Sequence, residues 1–140
     1  MIVADCSALV FYLTDDGLAG RQARSRIGRE DALAAPGLLD YEVMSALAGL
    51  SRGRRGSEPR LGRRQAEKAM ATFRLLAVDR HDTLPLWDRV WELSASLSAY
   101  DAQYVALSES LDVPLLTAGS RIARSGAARC AIETVAAADA

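Results

Sequence analysis

The chain has 140 residues, half of them hydrophobic and a quarter charged, with a formal net charge of −1. That length suits one domain with its own core, without disulfides or a structural metal, so residues 1–140 are read as a single domain. The near-zero charge excludes a surface that binds polyanions everywhere, and one histidine with two distant cysteines leaves little room for soft-metal sites or nucleophilic triads. The uncharged stretches, Cys6 to Thr14 among them, are far too short to span a bilayer, and the N-terminus lacks the basic region of a signal peptide. A cytoplasmic protein is expected, with Cys6 and Cys130 as small buried hydrophobes.

The first element predicted is a buried strand, Ile2 to Ala4, which breaks at Asp5 and feeds a helix carrying Leu9, Val10 and Leu13. Gly17 to Asp31 follows as an exposed helix anchored by Leu18 and Ile27, and Ala32 to Ala35 as a short strand before Pro36-Gly37. Asp40 is a suitable N-cap for a helix whose apolar face is Val43, Leu47 and Leu50, which puts Glu42 in its first turn. Gly53, Gly56 and Pro59 mark a loop, Leu61 to Phe73 returns to helix, and Leu75 to Val78 is expected as the third strand.

Thr83 to Leu97 reads as one helix, with Trp87 and Trp91 assigned to the core or to a dimer face. Ser98 caps the next helix, with Asp101 three residues on and Tyr104, Val105, Leu107 and Leu111 continuing its apolar face. A strand at Leu115 to Thr117, a short helix at Ser120 to Arg124 and a strand at Ala131 to Val135 complete the chain. Strands alternating with helices predict an α/β fold with a mostly parallel sheet, in which ligands bind beyond the strand C-termini.

Every basic residue but Lys68 is arginine, and Arg52, Arg54, Arg55, Arg60, Arg63 and Arg64 crowd the segment from Ser51 to Gln65. Arginine forks suit phosphate oxygens, so Arg52, Arg54, Arg55 and Arg60 are candidates for contact with RNA; a solvated loop or a partner contact is the plainer alternative. No aromatics interleave with them, which argues against base stacking there. The glycines lack the Gly-Lys-Ser/Thr ending of a phosphate-binding loop, and His81 has no serine or cysteine motif around it.

Asp5, Glu42 and Asp101 each fall where a strand ends or a helix begins. Capping and the helix macrodipole explain such positions one at a time. Asp5 differs in interrupting an apolar run, where an ionised carboxylate needs a cap, a counter-ion or a metal. Together the three can converge on one edge of the sheet, as hard oxygen ligands of the kind that Mg²⁺ or Mn²⁺ takes.

The stretches Val3-Ala4-Asp5-Cys6-Ser7-Ala8-Leu9, Glu42-Val43, Tyr100-Asp101-Ala102 with Tyr104-Val105-Ala106-Leu107, and Pro114-Leu115-Leu116-Thr117 resemble the PIN-domain family, and within it the VapC-type toxins. The resemblance implies a PIN-like three-layer α/β/α sandwich and a Mg²⁺- or Mn²⁺-dependent endoribonuclease. Asp5, Glu42 and Asp101 would be the catalytic metal ligands, with Ser7 and Thr117 steadying them. It also implies a VapB-type antitoxin partner and a homodimer. The family pattern continues Leu-Leu-Thr-x-Asp, whereas this chain has Gly119 in the last place, which argues for one metal ion rather than two. Two alternatives follow: a catalytically weakened RNA- or antitoxin-binding module, and a metal-dependent phosphohydrolase.

Overall fold

A computed structural model of the chain describes residues 1–53 and 56–135. Strand β1 (Ile2–Ala4) is buried along its whole length, as a short apolar run is when helices cover both faces of a parallel sheet. Asp5 ends it and caps helix α1 (Cys6–Thr14), its carboxylate accepting from the Ala8 amide at 3.0 Å. Helix α2 (Leu18–Gly28) turns Ala19, Ala23 and Ile27 inward, a stripe at four-residue spacing. Of its two expected anchors only Ile27 serves, because Leu18 lies off that stripe and is exposed.

Strand β2 (Leu33–Pro36) leads directly into helix α3 (Leu38–Arg52). This corrects the expected start. Gly37, not Asp40, is the N-cap residue, and Asp40 is instead gripped by Arg80 Nε at 2.8 and 2.9 Å. A tertiary ion pair has taken the carboxylate that capping preference assigned locally, and Glu42 moves into the second turn. Gly53 ends α3 with φ +70°, and a Cβ there would come within 2.9 Å of the Pro59 nitrogen, a conformation and a closeness that suit only glycine.

Helix α4 (Arg63–Leu75) starts where the Gly62 amide donates to Gln65 Oε1 and runs past the expected end, burying Ala66, Ala69 and Phe73. The third strand, β3 (Val78–His81), is therefore displaced toward the C-terminus from Leu75–Val78. It is an edge strand, and its polar Asp79 and Arg80 gave no apolar signal. The single helix expected over 83–97 is divided into a 3₁₀ turn at Leu84–Leu86, helix α5 (Trp87–Leu93) and a run of turns. Pro85 favours the tight turn, and the Ser94 hydroxyl returns to the Trp91 carbonyl at 2.7 Å where α5 ends. Trp87 and Trp91 are 62% and 80% exposed, so neither belongs to the core.

Helix α6 (Ala99–Leu111), strand β4 (Leu115–Thr117), helix α7 (Arg121–Ser125) and strand β5 (Ile132–Thr134) follow the expected pattern. The sheet has the order β3-β2-β1-β4-β5 with every neighbouring pair parallel, Val3 lying opposite both Ala34 and Leu115. The chain winds outward from β1 to β3, then jumps back across β1 to β4. With crossovers of one hand, that reversal puts α1–α4 on one face and α5 and α6 on the other. The result is an α/β/α sandwich: α1 to α4 pack on one another, and α6, backed by α5, packs against β1, β2 and β4.

Two arginines tie the periphery. Arg26 grips Glu133 through Nε and Nη2 at 2.8 and 2.9 Å and also reaches Glu30, joining α2 to β5. Arg89 grips Glu109 at 2.7 and 3.1 Å and the Ala127 carbonyl at 3.0 Å, joining α5, α6 and the segment after α7. Cys6 and Cys130 are free thiols, each partly buried. Among the described residues no helix is long and apolar enough to cross a membrane.

Candidate active site

The reversal in strand order falls between β1 and β4, and the crevice beyond their C-terminal ends is where open parallel sheets bind ligands. Asp5 stands there, 5% exposed, with both carboxylate oxygens engaged. Oδ1 accepts from the Ser7 hydroxyl at 2.6 Å and from the Ala8 amide, and Oδ2 accepts from the Thr117 hydroxyl at 2.5 Å. Ser7 Oγ in turn accepts from the Ala118 amide at 2.9 Å, stitching α1 to the end of β4. The cap on Ala8 uses Oδ1, shared with Ser7, and Oδ2 is held by Thr117 alone. Burial pushes the Asp5 carboxyl above the usual range; the bonds from Ser7, Thr117 and Ala8 pull it back, and the charge on Asp101 adds to the rise.

Glu42, half-buried on α3, accepts the Tyr104 hydroxyl at Oε1 over 2.6 Å, a contact that joins α3 to α6. Its carboxyl is also raised, by burial first, against the lowering effect of Tyr104, and further by Asp5 and Asp101. Asp101 lies in the first turn of α6, where its amide donates to the Ser98 hydroxyl at 3.1 Å. Its Oδ2 is 3.2 Å from Arg121 Nη2. The Cys6 thiol, beside these acids, is pushed up to about 12 by burial and by Glu42 and Asp5, so it stays protonated at neutral pH.

All three carboxylates, with Ser7 and Thr117, line one cleft of about 840 Å³. Gly119 forms part of the wall, and a Cβ there would meet nothing within 4 Å. Arg52, at the end of α3, and Arg60, in the loop that follows it, are both exposed and line the same cleft. Arg54 and Arg55 lie outside the described residues. Tyr104 and Arg121, the partners of Glu42 and Asp101, were not among the site residues expected from the sequence, where Tyr104 was read as part of the apolar face of its helix. Tyr104 follows Asp101 at the i+3 spacing that shares a helix face, which was the one available signal; Arg121 had none.

The donor set suits a hard divalent cation, because three carboxylates share a crevice in which the charge of Asp101 works against that of Asp5, and both work against that of Glu42, charge that such an ion would offset. They are not drawn together as they stand: among the described residues no group of three His, Cys, Asp or Glu side chains could hold an ion in place. The fit is one of chemistry and location rather than of closed coordination.

The model of the PIN domain family matches residues 2–127. The Mycobacterium tuberculosis protein named Ribonuclease VapC9 is 43% identical over 135 residues, covering 96% of this chain and 98% of the relative. Among solved structures, the Mycobacterium tuberculosis VapC20 toxin, described as cleaving the sarcin-ricin loop, superposes with a TM-score of 0.65 at 17% identity, over 90% of this chain and 95% of that one. VapBC2 from Rickettsia felis, bound to a DNA fragment from its promoter, matches with a TM-score of 0.63 at 12% identity over 96% and 98%. At such identities the two structures speak for the fold, while the family model and the sequence relative cover nearly the whole chain. With its carboxylate-lined crevice between β1 and β4, this chain belongs to the PIN-domain family and is of the VapC type.

Proposed function

We propose that the chain is a Mg²⁺- or Mn²⁺-dependent endoribonuclease, a toxin neutralised by a VapB-type antitoxin. Residues 1–140 would form a single domain, working in the cytoplasm as a homodimer. The observation that carries this reading is the arrival of Asp5, Glu42 and Asp101 at one cleft from three different elements. The relative named as a ribonuclease supports the activity, and the VapBC2 complex supports a partner of VapB type.

In this reading Asp5, Glu42 and Asp101 hold the metal ion. Such an ion supplies Lewis acidity, making water a competent nucleophile at neutral pH and offsetting charge that builds on the scissile phosphate. Ser7 and Thr117 spend their hydroxyl protons on Asp5 and so fix its orientation before anything binds. Tyr104 does the same for Glu42 from within the core, and the Ser98 cap anchors the turn that carries Asp101. Arg52 and Arg60, with Arg54 and Arg55, contact phosphates of the RNA strand. Replacing Arg52 and Arg60 with alanine should then lower the slope of log affinity against log salt by about 0.7 per lost contact on single-stranded RNA; an unchanged slope would assign the segment to another partner.

Gly119 favours a second reading, a binding module with little nuclease activity, since it leaves the cleft one carboxylate short of the family pattern. Incubation of structured RNA with the chain, in Mg²⁺, in Mn²⁺ and in chelator, separates the two. Cleavage that needs the metal supports the nuclease. Tight RNA binding with no cleavage under any condition would favour the module, and turnover of a chromogenic phosphate ester with indifference to RNA would favour a phosphohydrolase.

A further inference from the structure

We propose that Arg121 is a two-position arginine: it holds Asp101 while no divalent cation does, and it turns to a phosphate of the RNA strand once Asp101 is taken. The proposal rests on the metal-site reading above. Arg121 opens α7, just past the end of β4, and lines the cleft together with Asp101 and Gly119. Among the described residues it is the one cation in ion-pair contact with any of the three carboxylates.

The manner of that contact separates Arg121 from the structural arginines. Arg26 and Arg89 each present two nitrogens to one carboxylate at 2.7–3.1 Å, with side chains 18% and 20% exposed. Arg121 touches Asp101 through a single nitrogen at 3.2 Å, and its side chain is 77% exposed against 15% for Asp101. A one-point pair between an exposed side chain and a shielded one is weakly held and easily exchanged. Arg121 therefore covers the charge of Asp101 without being built into the wall.

Two consequences follow. Arg121 competes with a divalent cation for Asp101 Oδ2, which lowers the apparent affinity of the cleft for that cation. Once displaced, Arg121 carries an unused fork at the edge of the cleft, beside a wall that Gly119 leaves bare. Arginine forks match the two free oxygens of a phosphodiester, and a phosphate lying in the cleft offers them within the same crevice.

The test measures two affinities of the full chain, unmodified and as Arg121→Gln: Mn²⁺ by calorimetry, and a phosphorothioate-linked single-stranded RNA by fluorescence anisotropy, with and without saturating Mn²⁺. The variant should bind Mn²⁺ about two- to fivefold more tightly, the range set by a weak exposed ion pair. It should bind the RNA about two- to fivefold more weakly in Mn²⁺, with a salt slope lower by about 0.7, and show little change without Mn²⁺. An RNA loss of equal size in both conditions, or Mn²⁺ affinity left unchanged by Arg121→Gln, would overturn the proposal alone. Asp101→Asn serves as the control. Mn²⁺ affinity indifferent to that substitution would bring down the metal-site reading, and this proposal with it.

Discussion

Glu133 is held below the usual carboxylate range by the Arg26 fork, and Glu30 by the N-terminal amine and Arg26; Glu109 is lowered despite its burial because Arg89 and the Arg129 amide outweigh it. In the cleft, burial and mutual repulsion raise Asp5 and Glu42 instead, and the only ion pair at the three carboxylates in the described residues is the loose contact of Arg121 with Asp101. Both regions use the same residue types. The difference is that the peripheral acids have an arginine packed against them, whereas the cleft gives Asp5 and Glu42 hydroxyls, which orient a carboxylate without cancelling its charge, and gives Asp101 a single-point contact with an exposed arginine. A site that leaves its charges unneutralised sacrifices stability and keeps an affinity for something positive.

The comparison breaks most sharply at Asp5. Asp5→Asn removes a charge with almost no change in volume, so RNA cleavage should fall on the order of 10²–10³-fold or more while circular dichroism stays unchanged; Asp101→Asn and Glu42→Gln should behave alike. Full activity in a folded Asp5→Asn chain would take Asp5 out of the mechanism. The opposite outcome is expected at Arg89. Arg89→Met should cost about 1–2 kcal/mol in urea denaturation, discounted for the partial exposure of the pair, and leave Mn²⁺ affinity alone.

Adding an acid to the cleft sharpens the contrast. Gly119 has open space at its Cβ position, so Gly119→Asp should raise Mn²⁺ affinity roughly tenfold through the added ligand charge, read by calorimetry. No gain in a well-folded variant, or two comparable tight sites in the unmodified chain, would show that one missing carboxylate does not limit the site.

The smallest effect expected is in the pH dependence of the metal-free protein. Asp5 and Glu42 bind protons more readily folded than unfolded, so their contribution is full below the ordinary carboxylate values, about pH 4, and is lost as pH rises through the raised folded values. Glu30, Glu109 and Glu133 have the reverse sign: their contribution is full above the ordinary values and is lost as pH falls through the lowered ones. Glu42→Gln removes one term that favours acid, so its stability should fall more steeply than the parent's as pH drops from about 7 toward 4. Parallel curves from urea titrations across that range would contradict the assignment.

What was legible in the sequence was local. Short apolar runs ending at Asp5 and Thr117 marked central strands, since a strand buried on both faces must be apolar throughout. Ser98 announced its helix because a cap is settled within three residues. The resemblance to PIN domains drew Asp5, Glu42 and Asp101 together before any geometry was known. The misplaced boundaries have different causes: Arg80 took Asp40 from its expected cap, edge strand β3 needed no apolar run of its own, and Pro85 and Ser94 divided the helix expected over 83–97.

The tertiary structure alone decided which charges are covered. Tyr104 reaches Glu42 across 62 positions of sequence, and Thr117 reaches Asp5 across 112. The resemblance named Thr117 as a steadying residue, but periodicity does not encode the contacts themselves, which exist only once β4 is laid beside β1 and α6 is folded over the sheet. The same holds for Trp87 and Trp91, whose apolar character promised burial but whose helix presents them to solvent, and for Arg121, one arginine among many until α7 sets it against Asp101. Residue type and local order determined where carboxylates could stand; packing determined which of them were left without a built-in counter-ion.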